Sequence, residues 1–171
     1  RRGIEVVRIH TRVPFSMPHR VTAGLVRVLK RHKPLWMLVQ FNHASELYPA
    51  ARRALVHLRD AGIPVLNQAV LLRGVNDSIR AQVELGRALV AAGVKPHYLF
   101  CLDRAPGTEH FAVPLERAIY LARGIQRHSG LVVPRIMVDL PGRAGKLQLD
   151  ADFVRNSRAV HPRRRPRRAI G

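Results

Sequence analysis

Cysteine is almost missing from this chain of 171 residues: Cys101 stands alone. One thiol excludes an internal disulfide framework and cannot by itself hold an iron–sulfur cluster or a zinc ion. Lysine is scarce too, at Lys30, Lys33, Lys95 and Lys146 only, so arginine supplies most of the 30 basic residues. Aromatic residues make up 5% of the chain, and no stacking stripe, zinc spacing or helix-turn-helix signature accompanies them, which leaves sequence-specific nucleic-acid binding without support. No apolar run approaches the roughly 18–20 residues that span a bilayer. The charged start Arg1-Arg2-Gly3 is not followed by a signal-peptide apolar region either, so the expectation is a cytoplasmic protein with no membrane partner.

What is present is a core and a large positive charge. Hydrophobic residues make up 47% of the chain, enough for one domain. The net charge of +19 points to nucleic acid or another polyanion, but residues 155–171 hold seven of the arginines and no acid. Part of the signal is therefore local, and a basic polyanion-binding protein stays open as an alternative function. Arg27, Arg31, Arg52, Arg53, Arg59, Arg80 and Arg87 fall on helices at the spacing of solvated faces.

Apolar, β-branched runs alternate with amphipathic stretches up to about residue 140, the pattern of a parallel α/β sheet. Strands are expected at 4–10, 35–41, 64–72, 96–102 and 131–138, and helices near 22–32, 48–61, 77–92 and 114–128. Thr22 and Asp77 are placed to cap the first and third helices, and Gly62, Gly93 and Gly130 to follow the second, third and fourth. Each step from strand to strand is about 30 residues, long enough for right-handed crossovers. Five such strands fit part of a doubly wound sheet or part of a barrel. The chain starts directly in a strand without an initiator methionine, as a piece cut from a larger barrel would. One α/β unit is expected over residues 1–153, with an Arg/Pro-rich tail of disordered composition over 154–171.

Ligands in parallel α/β folds collect at the C-terminal ends of the strands. Polar groups recur there in this chain: Thr11-Arg12, Asn42-His43, Asn67-Gln68, Arg73 to Asp77, Asp103 with Glu109-His110, and Asp139 with Lys146. Asn76-Asp77 reads as a turn and helix cap rather than a ligand site. For Gln68, a satisfied core amide and a ligand contact are equally open. His43 and His110 are two of nine histidines and neither stands out alone. The stretch from Val138 to Lys146 carries two glycines and a proline, so its backbone N–H groups could approach a phosphate while Lys146 offers a charge or an amine nucleophile. No Ser or Thr follows Lys146, which rules out a Walker loop, and on the residues alone a surface turn with a solvated lysine is the commoner arrangement.

Taken together these segments resemble the lysine 2,3-aminomutase family. The similar stretches are Arg8 to Pro14, Phe41-Asn42-His43, Asp60 to Pro64, Asn67-Gln68 through Asp77, Gly107 to Phe111, and Val138-Asp139 through Lys146, in the family's order and close to its spacing. The resemblance implies the C-terminal half of a partial TIM-like radical S-adenosylmethionine barrel, of about five parallel strands and four helices. It also implies S-adenosylmethionine, a 4Fe–4S cluster, pyridoxal phosphate, an amino-acid substrate and an oligomer when complete. The reaction so implied is an isomerisation in which the cluster cleaves S-adenosylmethionine to a deoxyadenosyl radical. The α-amino group of lysine, held as an imine of pyridoxal phosphate, then moves to the β-carbon.

Position by position, Lys146 matches the family's Schiff-base lysine, Asp103 and Asp139 the carboxylates that hold the substrate's side-chain ammonium, and Gln68 a residue near S-adenosylmethionine. His43 is a weaker match on that same side. The sequence departs from the family where it lacks the Cys-x3-Cys-x2-Cys cluster motif and the glycine-rich strand end after it. Arg143 and Ala144 also stand where the family has more glycine. The chain alone is therefore expected to be inactive, and a pyridoxal or phosphate-binding module without radical chemistry is the remaining alternative.

Overall fold

The computed structural model describes residues 3–103, 105–128, 130–139 and 146–149. The glycine-containing loop with Arg143 and Ala144, and the basic segment expected over 154–171, lie outside the described residues. Six strands form one sheet: β1 (Val7–Thr11), β2 (Leu35–Val39), β3 (Val65–Leu71), β4 (Lys95–Cys101), β5 (Arg135–Asp139) and β6 (Lys146–Gln148). The helices are α1 (Val13–Ser16), α2 (Ala23–Lys30), α3 (Pro49–Asp60), α4 (Ile79–Ala91) and α5 (Leu115–Ile125). The four expected helices are α2 to α5, and α1 adds a single turn.

Strand order in the sheet is the order in the chain, with β1 to β5 parallel and β6 antiparallel to β5. A doubly wound sheet reverses its order at a switch point, whereas successive right-handed crossovers that always step to the next position put every helix on one face. This sheet is therefore an arc of a (β/α) barrel. In β3 the alternation is plain, with Val65, Asn67, Ala69 and Leu71 buried and Leu66, Gln68 and Val70 only half-buried. The core is the layer between the buried strand face and the helices, where Val39, Leu71 and Leu99 meet Leu55, Leu58, Leu89, Leu121 and Ile125, all exposed by 1% or less. The opposite face carries mostly half-exposed side chains, with Leu38 of β2 buried on it.

Two helix ends deliver the chain into the sheet with the same geometry. After α3, Gly62 has φ of +66°, its N–H donates to Arg59 O at 2.7 Å, and Ile63 N–H donates to Leu58 O at 3.1 Å. After α4, Gly93 has φ of +74°, and the equivalent bonds run from Gly93 to Val90 O and from Val94 to Leu89 O, both at 2.9 Å. Both are Schellman turns, which require a residue able to take positive φ where each glycine stands.

Three expectations are corrected. Thr22 caps α2 by accepting the N–H of Leu25 at 3.2 Å, but α4 is capped by Ser78, which accepts the N–H of Ala81 at 3.1 Å. Asp77 instead closes its own turn, taking the N–H of Gly74 at 3.1 Å. Gly130 caps nothing, because α5 ends at Ile125, five residues earlier. Strand β5 starts at Arg135 rather than 131, since Pro134 has no N–H to give to a ladder. Among the described residues no helix is long and apolar enough to cross a membrane.

Candidate functional site

The C-terminal rim is held in place by three buried asparagines. Asn67 faces the helix layer and closes a pair of bonds on Phe41, whose N–H donates to its Oδ1 at 2.8 Å and whose carbonyl accepts from its Nδ2 at 3.0 Å. Asn42 takes the N–H of Val70 at 2.9 Å. Asn76 is fully buried, accepts the N–H of Leu72 and donates to the carbonyls of Asn42 and Val70, each at 2.8 Å. These amides continue the pairing of β2 and β3 past the point where their ladder stops. They are structural; Asn76, expected in a turn and helix cap, sits in the turn but caps no helix, that place being taken by Ser78.

At the far side of the rim three of the expected residues meet. Asp103 lies just beyond β4, and Asp139 ends β5 opposite Lys146, which begins β6. The Lys146 ammonium donates to Asp103 Oδ1 at 3.2 Å and Oδ2 at 3.3 Å, and to Asp139 Oδ2 at 3.4 Å. Its Nζ also stands 5.3 Å from the ring centroid of Phe100, on β4. Two carboxylates and an aromatic ring form a complete seat for an ammonium. The Lys146 side chain is 35% exposed and those of Asp103 and Asp139 67% and 47%, so each ion pair contributes about 0–1 kcal/mol. Burial works to lower the Lys146 pKa, but the hydrogen bonds and charges of Asp103 and then Asp139 outweigh it, and the net shift is upward.

Gln68 and His43 do not join this cluster through any hydrogen bond or ion pair among the described residues. Gln68 is half-buried on the open face, in register with Tyr98 on β4 and two strands away from β5, about 10 Å across the sheet. His43 caps a 3₁₀ turn: its Nδ1 is 2.8 Å from Ser45 Oγ and takes the N–H of Ser45 at 3.3 Å, leaving Nε2 for the ring proton. Sequence reasoning missed Phe100, although an aromatic residue on β4 shortly before Asp103 was visible, and missed β6 altogether.

No family model matches the chain. It is 40% identical over 152 residues to the L-lysine 2,3-aminomutase of Fusobacterium nucleatum and 41% identical over 152 residues to that of Clostridium subterminale. Against the L-lysine 2,3-aminomutase of Escherichia coli it is 39% identical over 149 residues. These matches take in 88%, 88% and 86% of this chain and fall in the C-terminal part of the relatives. The chain fits the C-terminal part of the lysine 2,3-aminomutase family. It spans 36% of the length of the first two relatives and 44% of the third. Among solved structures, a radical SAM methyltransferase from Sphaerobacter thermophilus superposes with a TM-score of 0.52 at 19% identity, over 68% of this chain and 38% of that one. Streptococcus suis SuiB gives 0.52 at 12% identity, over 78% and 32%. At those identities the likeness is one of fold, the barrel arc described above.

The cofactors expected from the family meet these residues unevenly. Lys146 presents an amine on the rim, as an aldehyde cofactor requires. Gln68 offers an amide on the open face, at the position paired with Tyr98 in the ladder. For a cluster the chain offers one thiol, Cys101, where several are needed; burial pushes that thiol up to about 11, with the Asp103 charge acting in the same direction and Lys146 against it. Among the described residues no group of three or more His, Cys, Asp or Glu is placed to hold a metal.

Proposed function

We propose that this protein carries the cofactor-amine and substrate-ammonium side of a radical S-adenosylmethionine aminomutase that moves the α-amino group of lysine to its β-carbon. The observation that carries this reading is the cluster of Lys146, Asp103 and Asp139 on one rim, in a chain with only eleven acids. Lys146 is the amine that holds pyridoxal phosphate. Asp103 and Asp139 bind the distal ammonium of the substrate, and Phe100 gives that ammonium an aromatic face. A substrate with a distal carboxylate would meet two like charges there and be excluded. When bound, pyridoxal phosphate supplies a π system that lets a radical pass through the migrating nitrogen. Gln68 orients S-adenosylmethionine against the open sheet face. The ligands of a 4Fe–4S cluster are not among the described residues.

The test is chemical capture. Incubation with pyridoxal phosphate, borohydride reduction and peptide mapping should place the pyridoxyl group on Lys146, and Lys146→Ala should remove it. A label on Lys30, Lys33 or Lys95 with Lys146 unmodified would end this reading.

A further inference from the structure

Lys146 and the Asp103–Asp139 pair are assigned complementary tasks, yet in the structure they are bound to each other. The side chain of lysine, a butylammonium, fills the seat proposed for the same group of a ligand. It contacts both oxygens of Asp103 and one of Asp139, and it stands over Phe100. We infer that Lys146 is an internal plug of the ammonium seat, so that the seat opens to a ligand only when Lys146 leaves it.

The plug follows from the hairpin register. Lys146 is the direct partner of Asp139 in the antiparallel pair of β5 and β6, which puts both side chains on the same sheet face at neighbouring positions. An ammonium tethered there competes with any free cation at an effective concentration on the order of millimolar or higher. Among the described residues its two carboxylate partners are both exposed, so the plug is loose enough to be withdrawn. The Cys101 thiol is also coupled to Asp103 and Lys146 among the described residues, and burial holds it neutral.

Resting on the proposed role of Lys146, the plug has a consequence for order of binding. An ammonium has no lone pair, so Lys146 must give up a proton to solvent before its nitrogen bonds the aldehyde carbon. Bonding there, with the aldehyde oxygen lost as water, would tie the Lys146 nitrogen to the cofactor and withdraw it from Asp103 and Asp139, which would leave the seat to the substrate's ammonium. Cofactor loading and substrate-ammonium binding then favour each other, as linkage requires.

The plug is testable without turnover. A seat occupied by its own lysine nine-tenths of the time weakens apparent ligand affinity about tenfold. Calorimetric titration of the protein with n-butylammonium should therefore show about tenfold tighter binding in Lys146→Met than in the unmodified protein, and Asp139→Asn in the Lys146→Met background should cancel the gain. As a second readout, Asp103→Asn should speed capture of pyridoxal phosphate by Lys146 at fixed pH, because the amine is released. Equal butylammonium affinity with and without Lys146, or slower capture in Asp103→Asn, overturns the plug. The two readings separate cleanly. A tenfold gain with no pyridoxyl label on Lys146 keeps the plug and removes the cofactor role, whereas a label with no gain does the reverse.

Discussion

Replacing Asn76 with alanine should destabilise the protein more than any other single change at the rim. The side chain is fully buried and serves three backbone groups at once: the N–H of Leu72 and the carbonyls of Asn42 and Val70, all at 2.8 Å. Alanine fills little of the space and offers neither donor nor acceptor. The bond to Asn42 is buried, and an orphaned group there costs about 1–3 kcal/mol, while the two part-buried groups cost about 1 kcal/mol each because water can reach them. The expected loss is then about 3–5 kcal/mol, a large share of the roughly 5–15 kcal/mol that holds a domain together. For a chain of this length it lowers the melting temperature on the order of 10 °C. Asn76→Asp should be no better, because a second oxygen would face the two carbonyls. Urea unfolding followed by the fluorescence of the single tryptophan, Trp36, reads both variants. A loss under about 1 kcal/mol for Asn76→Ala would mean that these bonds do not tie β2 to β3, since even one orphaned buried group costs that much.

Other expected outcomes concern packing, reactivity and charge. A Cβ on Gly124 of α5 would run into Ile79 at the start of α4, its Cγ1 lying 2.7 Å away, so Gly124→Ala should cost about 1–3 kcal/mol in thermal unfolding unless Ile79 rotates. With its thiol near 11, Cys101 should be only about one part in a thousand thiolate at pH 8 and should alkylate on the order of a hundredfold more slowly than a free cysteine. Lys146→Met should slow it further, because the ammonium now favours the thiolate. The folded-state pKa of Lys146 is raised above its ordinary 10.5, so its contribution to stability is fully present below about pH 10.5 and is lost as pH rises through the folded value. The stability difference between the unmodified protein and Lys146→Met, about 1 kcal/mol after solvent screening, should be constant from pH 8 to about 9.5 and shrink above 10.5. A difference that grows with pH would reverse the assignment. DNA binding, if the arginines of residues 155–171 drive it, should fall steeply with salt and largely vanish on their deletion.

Much of this was written locally. The α/β alternation, the cap at Thr22 and the turns at Gly62 and Gly93 depend on a few adjacent residues, and they appear where the sequence put them. The stop at Pro134 is local in the same sense, although the apolar run before it concealed the later start of β5. The choice between Ser78 and Asp77 as cap was harder to read, because both can accept from a helix N-terminus and only the backbone angle of the β3–α4 turn selects one.

The sequence by itself determined that the protein is an α/β unit with polar residues at its strand ends, and the family resemblance singled out Lys146, Asp103 and Asp139. It did not determine that the sheet is a one-sided arc, because crossover lengths near 30 residues suit either winding and only the order of strands in space distinguishes them. Nor could it place the Lys146 ammonium between the two carboxylates. That contact joins residues 43 positions apart, Lys146 with Asp103, through a hairpin whose register no local pattern fixes. The three charged groups were legible as residues, but their mutual occupation is a property of the fold, set where β5 turns back as β6 and brings cation and anions to one side of the sheet.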